Sequence, residues 1–262
     1  MSSDFNLPNG FARQAGSLFC EDTQVSDLAE QFGTPLYIYS QTAITEAFLT
    51  WKQAFGDARH LVCYAVKANS NIAILRLLAS LGSGFDIVSG GELERVLTAG
   101  GDAAKVVFSG VGKSPAEIRR ALEVGIRCFN VESSSELYLI EKIASERGDI
   151  ARISIRINPD VDAKTHPYIS TGLKENKFGV NAQQALELYR YAQGASHLQP
   201  VGVDCHIGSQ LTEVAPFVES VQHLRDLVLE LRKSGINIEH IDIGGGLGIQ
   251  YSDEAIPSPS EL

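Results

Sequence analysis

The chain has 262 residues, 44% hydrophobic and 21% charged, which suits one large α/β domain or two modest ones. A formal net charge of −10 and a pI near 5.1, with no basic patch, argue against nucleic-acid binding. No apolar run approaches a membrane span and Met1-Ser2-Ser3-Asp4 does not open a secretory signal, so a cytoplasmic protein with no membrane partner is expected.

Residues 10–21 read as irregular. Residues 25–32 read as a short helix stopped by Gly33, residues 35–39 as an isolated strand, and residues 42–55 as a helix. Six apolar or aromatic residues, Leu61-Val62-Cys63-Tyr64-Ala65-Val66, then run into Lys67, the pattern of a strand buried on both faces. From there strands expected at 84–89, 105–110, 127–131, 152–158, 201–206 and 239–243 alternate with amphipathic helices. Ser114, Pro115 and Glu117 form a capping box with proline in the first helical position, and Ser133 with Glu136 forms another. A polar loop spans residues 159–180. The cysteines, Cys20, Cys63, Cys128 and Cys205, have neither metal nor redox spacing and read as reduced core residues.

A run of βα units leaves two architectures, a doubly wound open sheet or a (β/α)8 barrel. The uniform repeat favours the barrel, as do functional-looking residues after several different strands. In a barrel the carboxyl ends of the strands share one mouth, which would gather Lys67, Asp86, Ser109, Asn130, Arg156, His206 and the triple glycine 244–246.

Lys67, partly desolvated where its strand runs out, would favour the neutral amine that forms a Schiff base with an aldehyde; a lysine snorkelling to solvent is the plain alternative. Gly244, Gly245 and Gly246 follow a strand directly, as in a backbone cradle for phosphate, though a tight turn would also use glycine. His206 could be an acid, a base, a flat surface for another ring or a structural histidine, and Ser209 could donate to a phosphate oxygen. Asp86 and Arg156 interrupt apolar strands, as ion-pair members or as ligand contacts. Glu92 reads as the first-turn acid of its own helix. His166 and His223 take no role, and no histidine or cysteine has zinc-ligand spacing, so no metal is expected. A Schiff-base lysine, a phosphate cradle and a stacking ring point together to pyridoxal 5′-phosphate.

Tyr64-Ala65-Val66-Lys67-Ala68-Asn69, Phe85-Asp86-Ile87-Val88-Ser89-Gly90-Gly91-Glu92, His206-Ile207-Gly208-Ser209 and Gly244-Gly245-Gly246 resemble the fold-type III pyridoxal-phosphate decarboxylases of basic amino acids. Asn158-Pro159-Asp160-Val161-Asp162, His166-Pro167-Tyr168-Ile169-Ser170-Thr171-Gly172 and Lys177-Phe178-Gly179 look most like the diaminopimelate decarboxylases within that group. The resemblance implies α/β architecture with a pyridoxal-phosphate-binding TIM-type barrel over residues 41–262, and an arm over residues 1–40 belonging to a second β-domain. It implies Lys67 as the Schiff-base lysine, His206 against the cofactor ring, Ser209 with Gly244, Gly245 and Gly246 on the phosphate, and Asp86 and Arg156 beside the cofactor. The activity implied is decarboxylation of meso-2,6-diaminopimelate to L-lysine, in a homodimer whose partner molecule is a small amino acid.

No segment matches the family's Glu-Pro-Gly-Arg motif, and seven strands stand where such a barrel needs eight. The expectation is therefore an amino-terminal portion of a longer enzyme, inactive by itself. Ornithine-, arginine- or carboxynorspermidine-type decarboxylation is the alternative within the family. A single-domain pyridoxal-phosphate homeostasis protein is the alternative outside enzymology, with a sugar-phosphate barrel enzyme more distant.

Overall fold

The computed structural model describes residues 7–159, 161, 178–251 and 254–262. Two compact units divide the chain, residues 1–60 and 61–262.

In the first unit, β1 (Phe11–Gln14), β2 (Ser17–Cys20) and β3 (Thr23–Gln24) form an antiparallel sheet, followed by α1 (Val25–Phe32) and α2 (Gln41–Ala54). Residues 10–21 are thus not irregular. Gln14 pairs with Ser17 across Ala15-Gly16, and both turn residues have positive φ, 49° and 85°. A two-residue turn of that sign matches the natural twist of a hairpin. Residues 35–39, expected as an isolated strand, pair with no strand among the described residues, and Tyr37 is 85% exposed. An apolar run becomes a strand only when another backbone satisfies its N–H and C=O groups.

The second unit holds seven parallel strands, β4 (Cys63–Ala65), β5 (Gly84–Ile87), β6 (Val106–Phe108), β7 (Cys128–Val131), β8 (Ala151–Arg156), β9 (Leu198–Asp204) and β10 (His240–Asp242). Its helices are α3 (Ile72–Ser80), α4 (Gly90–Thr98), α5 (Pro115–Val124), α6 (Ser134–Arg147), α7 (Ala182–Gly194) and α8 (Ala215–Lys233). The strand order is β10-β9-β8-β7-β6-β5-β4, each strand beside its neighbour in sequence. A doubly wound sheet reverses its order at a switch point, and this one never does.

The sheet also curls. Asn130 on β7 reaches Asp242 on β10 with Nδ2 3.3 Å from Oδ2, and Cys128 Sγ lies 3.8 Å from His240 Nε2. Three strand spacings in a flat sheet would separate those strands by about 14 Å. These contacts close only if the strands bend round a lumen, so the sheet is the curled wall of a barrel. Val107, Cys128 and Val201, with Cys63 against them, fill that lumen below the mouth.

Local chemistry sets the helix starts. Ser114 and Glu117 close both halves of the expected capping box on α5. The box expected at Ser133 and Glu136 forms only half. Ser133 accepts from Glu136 N, but the Glu136 carboxylate turns instead to Glu132 N (2.8 Å) and to Lys113 Nζ (2.5 Å). Between β8 and β9 a bulge shifts the register at Ile153/Ser154. The buried Tyr189 hydroxyl bridges it, donating to Gly202 O (2.6 Å) and accepting from Ile155 N (3.1 Å). Among the described residues no helix is long and apolar enough to cross a membrane.

Candidate active site

Because all seven strands run the same way, their carboxyl ends share one rim, and the residues singled out in the sequence stand along it. Lys67 follows β4, Asp86 lies near the end of β5, Arg156 ends β8, His206 follows β9, and Gly244 to Gly246 follow β10.

Lys67 is exposed, which corrects the expectation of a desolvated amine. The backbone leaves the sheet after Ala65 and enters a 3-10 turn over Val66–Ala68, so Val66 is buried while Lys67 is exposed at the rim. The Tyr64 hydroxyl pins that turn by donating to Asn69 O (3.2 Å). Asn71 then caps α3 through Ala73 N. The charge of Lys67 is felt by both Asp86 and His206, so the three share one electrostatic environment.

Asp86 is pushed up to about 6, first by burial and then by Asp242, while hydrogen bonding from Ser109 and the charges of Lys67 and Arg156 oppose the rise. Its Oδ1 is buried with no hydrogen-bond partner among the described residues. His206 falls to about 4 through burial and the positive charges of Arg156 and Lys67. Its Nδ1 accepts from Gly245 N (3.4 Å), which leaves the proton of the neutral ring on Nε2. The ring is therefore uncharged at neutral pH.

Arg156 is buried and pairs with Glu132, Nη1 to Oε1 at 3.1 Å, while its guanidinium lies 5.2 Å from the centre of the Phe178 ring. Its Nε has no partner among the described residues. The ion-pair reading of Arg156 thus holds, with Nε unpartnered among the described residues. Glu92 accepts from Val88 N (2.7 Å) at the start of α4, the helix-start role expected of it.

The glycine loop is less open to an anion than its sequence suggests. Gly244 N–H donates to Asp242 Oδ1 (2.9 Å) and Gly245 N–H to His206 Nδ1. Gly244 and Gly246 are required by shape: φ is 71° and 105°, and a Cβ on Gly246 would sit 1.9 Å from Gly208 O. Gly245 is different, since a Cβ there would meet nothing within 4 Å.

Ser209 is exposed on the loop after β9. That loop is zipped to the glycine loop by Leu211 N to Gly246 O (2.8 Å), Gly248 N to Leu211 O (2.9 Å), and Gln210, whose amide bonds Ile249 N (3.0 Å) and Ile249 O. Ser109 and Asn130 were expected at the mouth without a stated role, and Gln210, Glu132 and Asp242 were not singled out. Ser109 and Asn130 were visible only as strand ends, and Gln210 only as the last letter of a motif. Burial pushes the Cys63 and Cys205 thiols up to about 12, so both are inert core residues. The segment resembling a substrate loop, with His166 and Lys177, lies outside the described residues.

Residues 41–261 match the pyridoxal binding domain of pyridoxal-dependent decarboxylases. The chain belongs to the pyridoxal-dependent decarboxylase family. It is 58% identical over 253 residues to a diaminopimelate decarboxylase of Haemophilus influenzae, covering 97% of this chain and 61% of the relative. It is 44% identical to a diaminopimelate decarboxylase of M. jannaschii solved in complex with L-lysine, with a TM-score of 0.91, covering 97% of this chain and 61% of that one. A lysine decarboxylase of Selenomonas ruminantium is 29% identical with a TM-score of 0.78, covering 88% of this chain and 57% of that one. The chain thus spans about three fifths of the length of these members of the decarboxylase family.

Proposed function

We propose that this chain supplies the pyridoxal-phosphate-binding barrel of a decarboxylase that converts meso-2,6-diaminopimelate to L-lysine and CO2. The observation that carries the reading is the convergence of Lys67, Asp86, Arg156 and His206 at the mouth that the glycine loop borders. The higher identity to diaminopimelate decarboxylases than to a lysine decarboxylase supports the substrate.

The residues fit the cofactor on features of their own. Asp86 Oδ1 and Arg156 Nε are buried polar atoms lacking partners among the described residues, and the Gly245 face is bare. Buried polar groups are rarely left so unless something else satisfies them. Lys67, exposed at the rim, would hold the aldehyde carbon. The neutral ring of His206 would lie against the pyridine ring without introducing charge. Ser209 and the loop of Gly244, Gly245 and Gly246 would take the phosphate. Asp86 and Arg156 would fix the polar edge, one supplying an acceptor and the other a donor. The bound cofactor supplies the electron sink for the carbon that loses CO2. Residues 1–40 are read as an arm of a second β-domain.

Two measurements test this. Borohydride reduction in the presence of pyridoxal phosphate, followed by peptide mapping, should place a pyridoxyl group on Lys67; a label on another lysine sinks the assignment. Comparing kcat/KM for meso-diaminopimelate, ornithine, arginine and lysine should favour the first strongly. A preference for ornithine or arginine would move the enzyme to that branch of the family.

A further inference from the structure

Beneath the rim, a line of polar side chains runs across the lumen from the Asp86 side to the glycine loop. Asn130 is its centre, on β7 and only 2% exposed. Its Nδ2 lies 3.2 Å from Ser109 Oγ and 3.3 Å from Asp242 Oδ2. Ser109 in turn stands beside Asp86, opposing the rise that burial gives its carboxyl, and Asp242 holds Gly244 N–H through its other oxygen. β5, β7 and β10 each contribute one side chain, and Ser109 follows the end of β6.

The donors and acceptors leave little freedom. An amide nitrogen has two hydrogens and can serve two acceptors at once. Rotating the Asn130 amide would set its oxygen against the Asp242 carboxylate, two acceptors with no proton between them. The orientation is therefore set by Asp242, and it leaves Asn130 Oδ1 toward the protonated Cys128 thiol, 4.0 Å away. Ser109, accepting from Asn130, has its single hydrogen left for Asp86. Each bond in the line fixes the direction of the next.

We propose that Asn130 is a positioning residue, coupling the placement of Asp86 to the conformation of the glycine loop so that both ends of a phosphorylated pyridine ring find their partners together. The proposal rests on the cofactor reading above. Without the amide donors, Asp242 loses a bond that aims its second oxygen at Gly244, and the loop that needs Gly244 at φ 71° loses its anchor.

The test is an exchange of partners. Asn130→Asp alone sets carboxylates against each other, and Asp242→Asn alone leaves two amides meeting. The double variant Asn130→Asp/Asp242→Asn restores one donor and one acceptor in reversed order, with the new amide oxygen still able to accept from Gly244 N–H. Two readouts are taken: the dissociation constant for pyridoxal phosphate, and amide hydrogen exchange of the 242–248 peptide in cofactor-free protein. Each single variant should weaken cofactor binding at least about tenfold and speed exchange of that peptide. The double variant should return exchange of the 242–248 peptide to within about threefold of the parent, while cofactor binding stays weakened, because a carboxylate at position 130 cannot donate to Ser109 and takes the hydrogen meant for Asp86. Additive speeding of exchange in the double variant, or unchanged exchange in both singles, overturns the coupling. Ser109→Ala, which removes only a half-buried hydroxyl, should show the same weakening in milder form even if a charged variant fails to fold; unchanged affinity there also overturns it. A parent chain that takes up no pyridoxal phosphate overturns the cofactor reading instead, and the exchange data then decide the coupling by themselves.

Discussion

Arg156 and Glu132 face each other at the carboxyl ends of adjacent parallel strands, Nη1 to Oε1 at 3.1 Å, with both side chains buried. The same Glu132 oxygen accepts Gly110 N–H (3.0 Å). Behind it, the buried Lys113 donates to Glu136, Gly110 O (2.7 Å) and Asn130 O (2.8 Å). Arg156 is therefore held by a paired and hydrogen-bonded acid, while its buried Nε has no partner among the described residues. Glu132→Gln keeps the shape and can still accept from Gly110, but it strands the buried guanidinium. The variant should lose about 3 kcal/mol in urea unfolding and bind pyridoxal phosphate more weakly. Unchanged unfolding would show that the pair contributes nothing net.

Asp86 gives a pH-dependent expectation for the cofactor-free protein. Its carboxyl sits near 6 in the fold against 3.8 ordinarily, with burial the main cause. Between those values the folded protein binds more protons than the unfolded chain. Stability from this group therefore falls as pH rises through that window and stays low above it. Asp86→Asn removes the effect. The variant should match the parent near about pH 4 and exceed it by roughly 2–3 kcal/mol at neutral pH, while binding cofactor less well. Denaturant melts at the two pH values check the sign; a variant less stable than the parent at neutral pH contradicts it.

The three glycines should not respond alike. Gly246→Ala drives a Cβ into Gly208 O at positive φ and should destabilise the fold by roughly 2–3 kcal/mol. Gly245→Ala meets no protein atom within 4 Å and should leave the melting temperature nearly unchanged. Any loss of cofactor affinity in Gly245→Ala then reports contact with the ligand. Thermal melts and cofactor titrations on the pair separate the two roles, and a collapse of Gly245→Ala would refute the open cradle.

Tyr189→Phe offers a control away from the mouth. The hydroxyl serves both Gly202 O and Ile155 N at the bulge between β8 and β9, groups buried in the sheet. Its loss should cost about 1–3 kcal/mol of stability with cofactor affinity unchanged. An affinity change without a stability change would show that the bulge tunes the site.

Much of the second unit was legible because its signals are local. The Ser114-Pro115-Glu117 start of α5 involves groups within one turn of chain, so reading the letters reads the bonds. The apolar runs of β4 to β10 announce strands buried on both faces, and their uniform alternation with helices announces a parallel barrel wall. With the strands parallel, Lys67, Asp86, Arg156, His206 and the glycines had to share one rim, whatever the details of packing. Other features depend on partners that no local pattern names. Residues 35–39 carry a strand's composition, but no backbone among the described residues pairs with them. Glu136 has a capping acid's position, but Lys113, 23 residues earlier, draws its carboxylate away. Lys67 ends an apolar run, yet the turn after Ala65 leaves it exposed at the rim. Asn130 and Asp242 stand 112 residues apart, and only the curl of the sheet brings their side chains to 3.3 Å. The sequence alone determined which chemical groups reach the rim, because strand direction and spacing are properties of short segments. The tertiary structure decided which of those groups hold one another, because hydrogen bonds act over a few ångströms and the distances across the lumen depend on how the whole sheet bends.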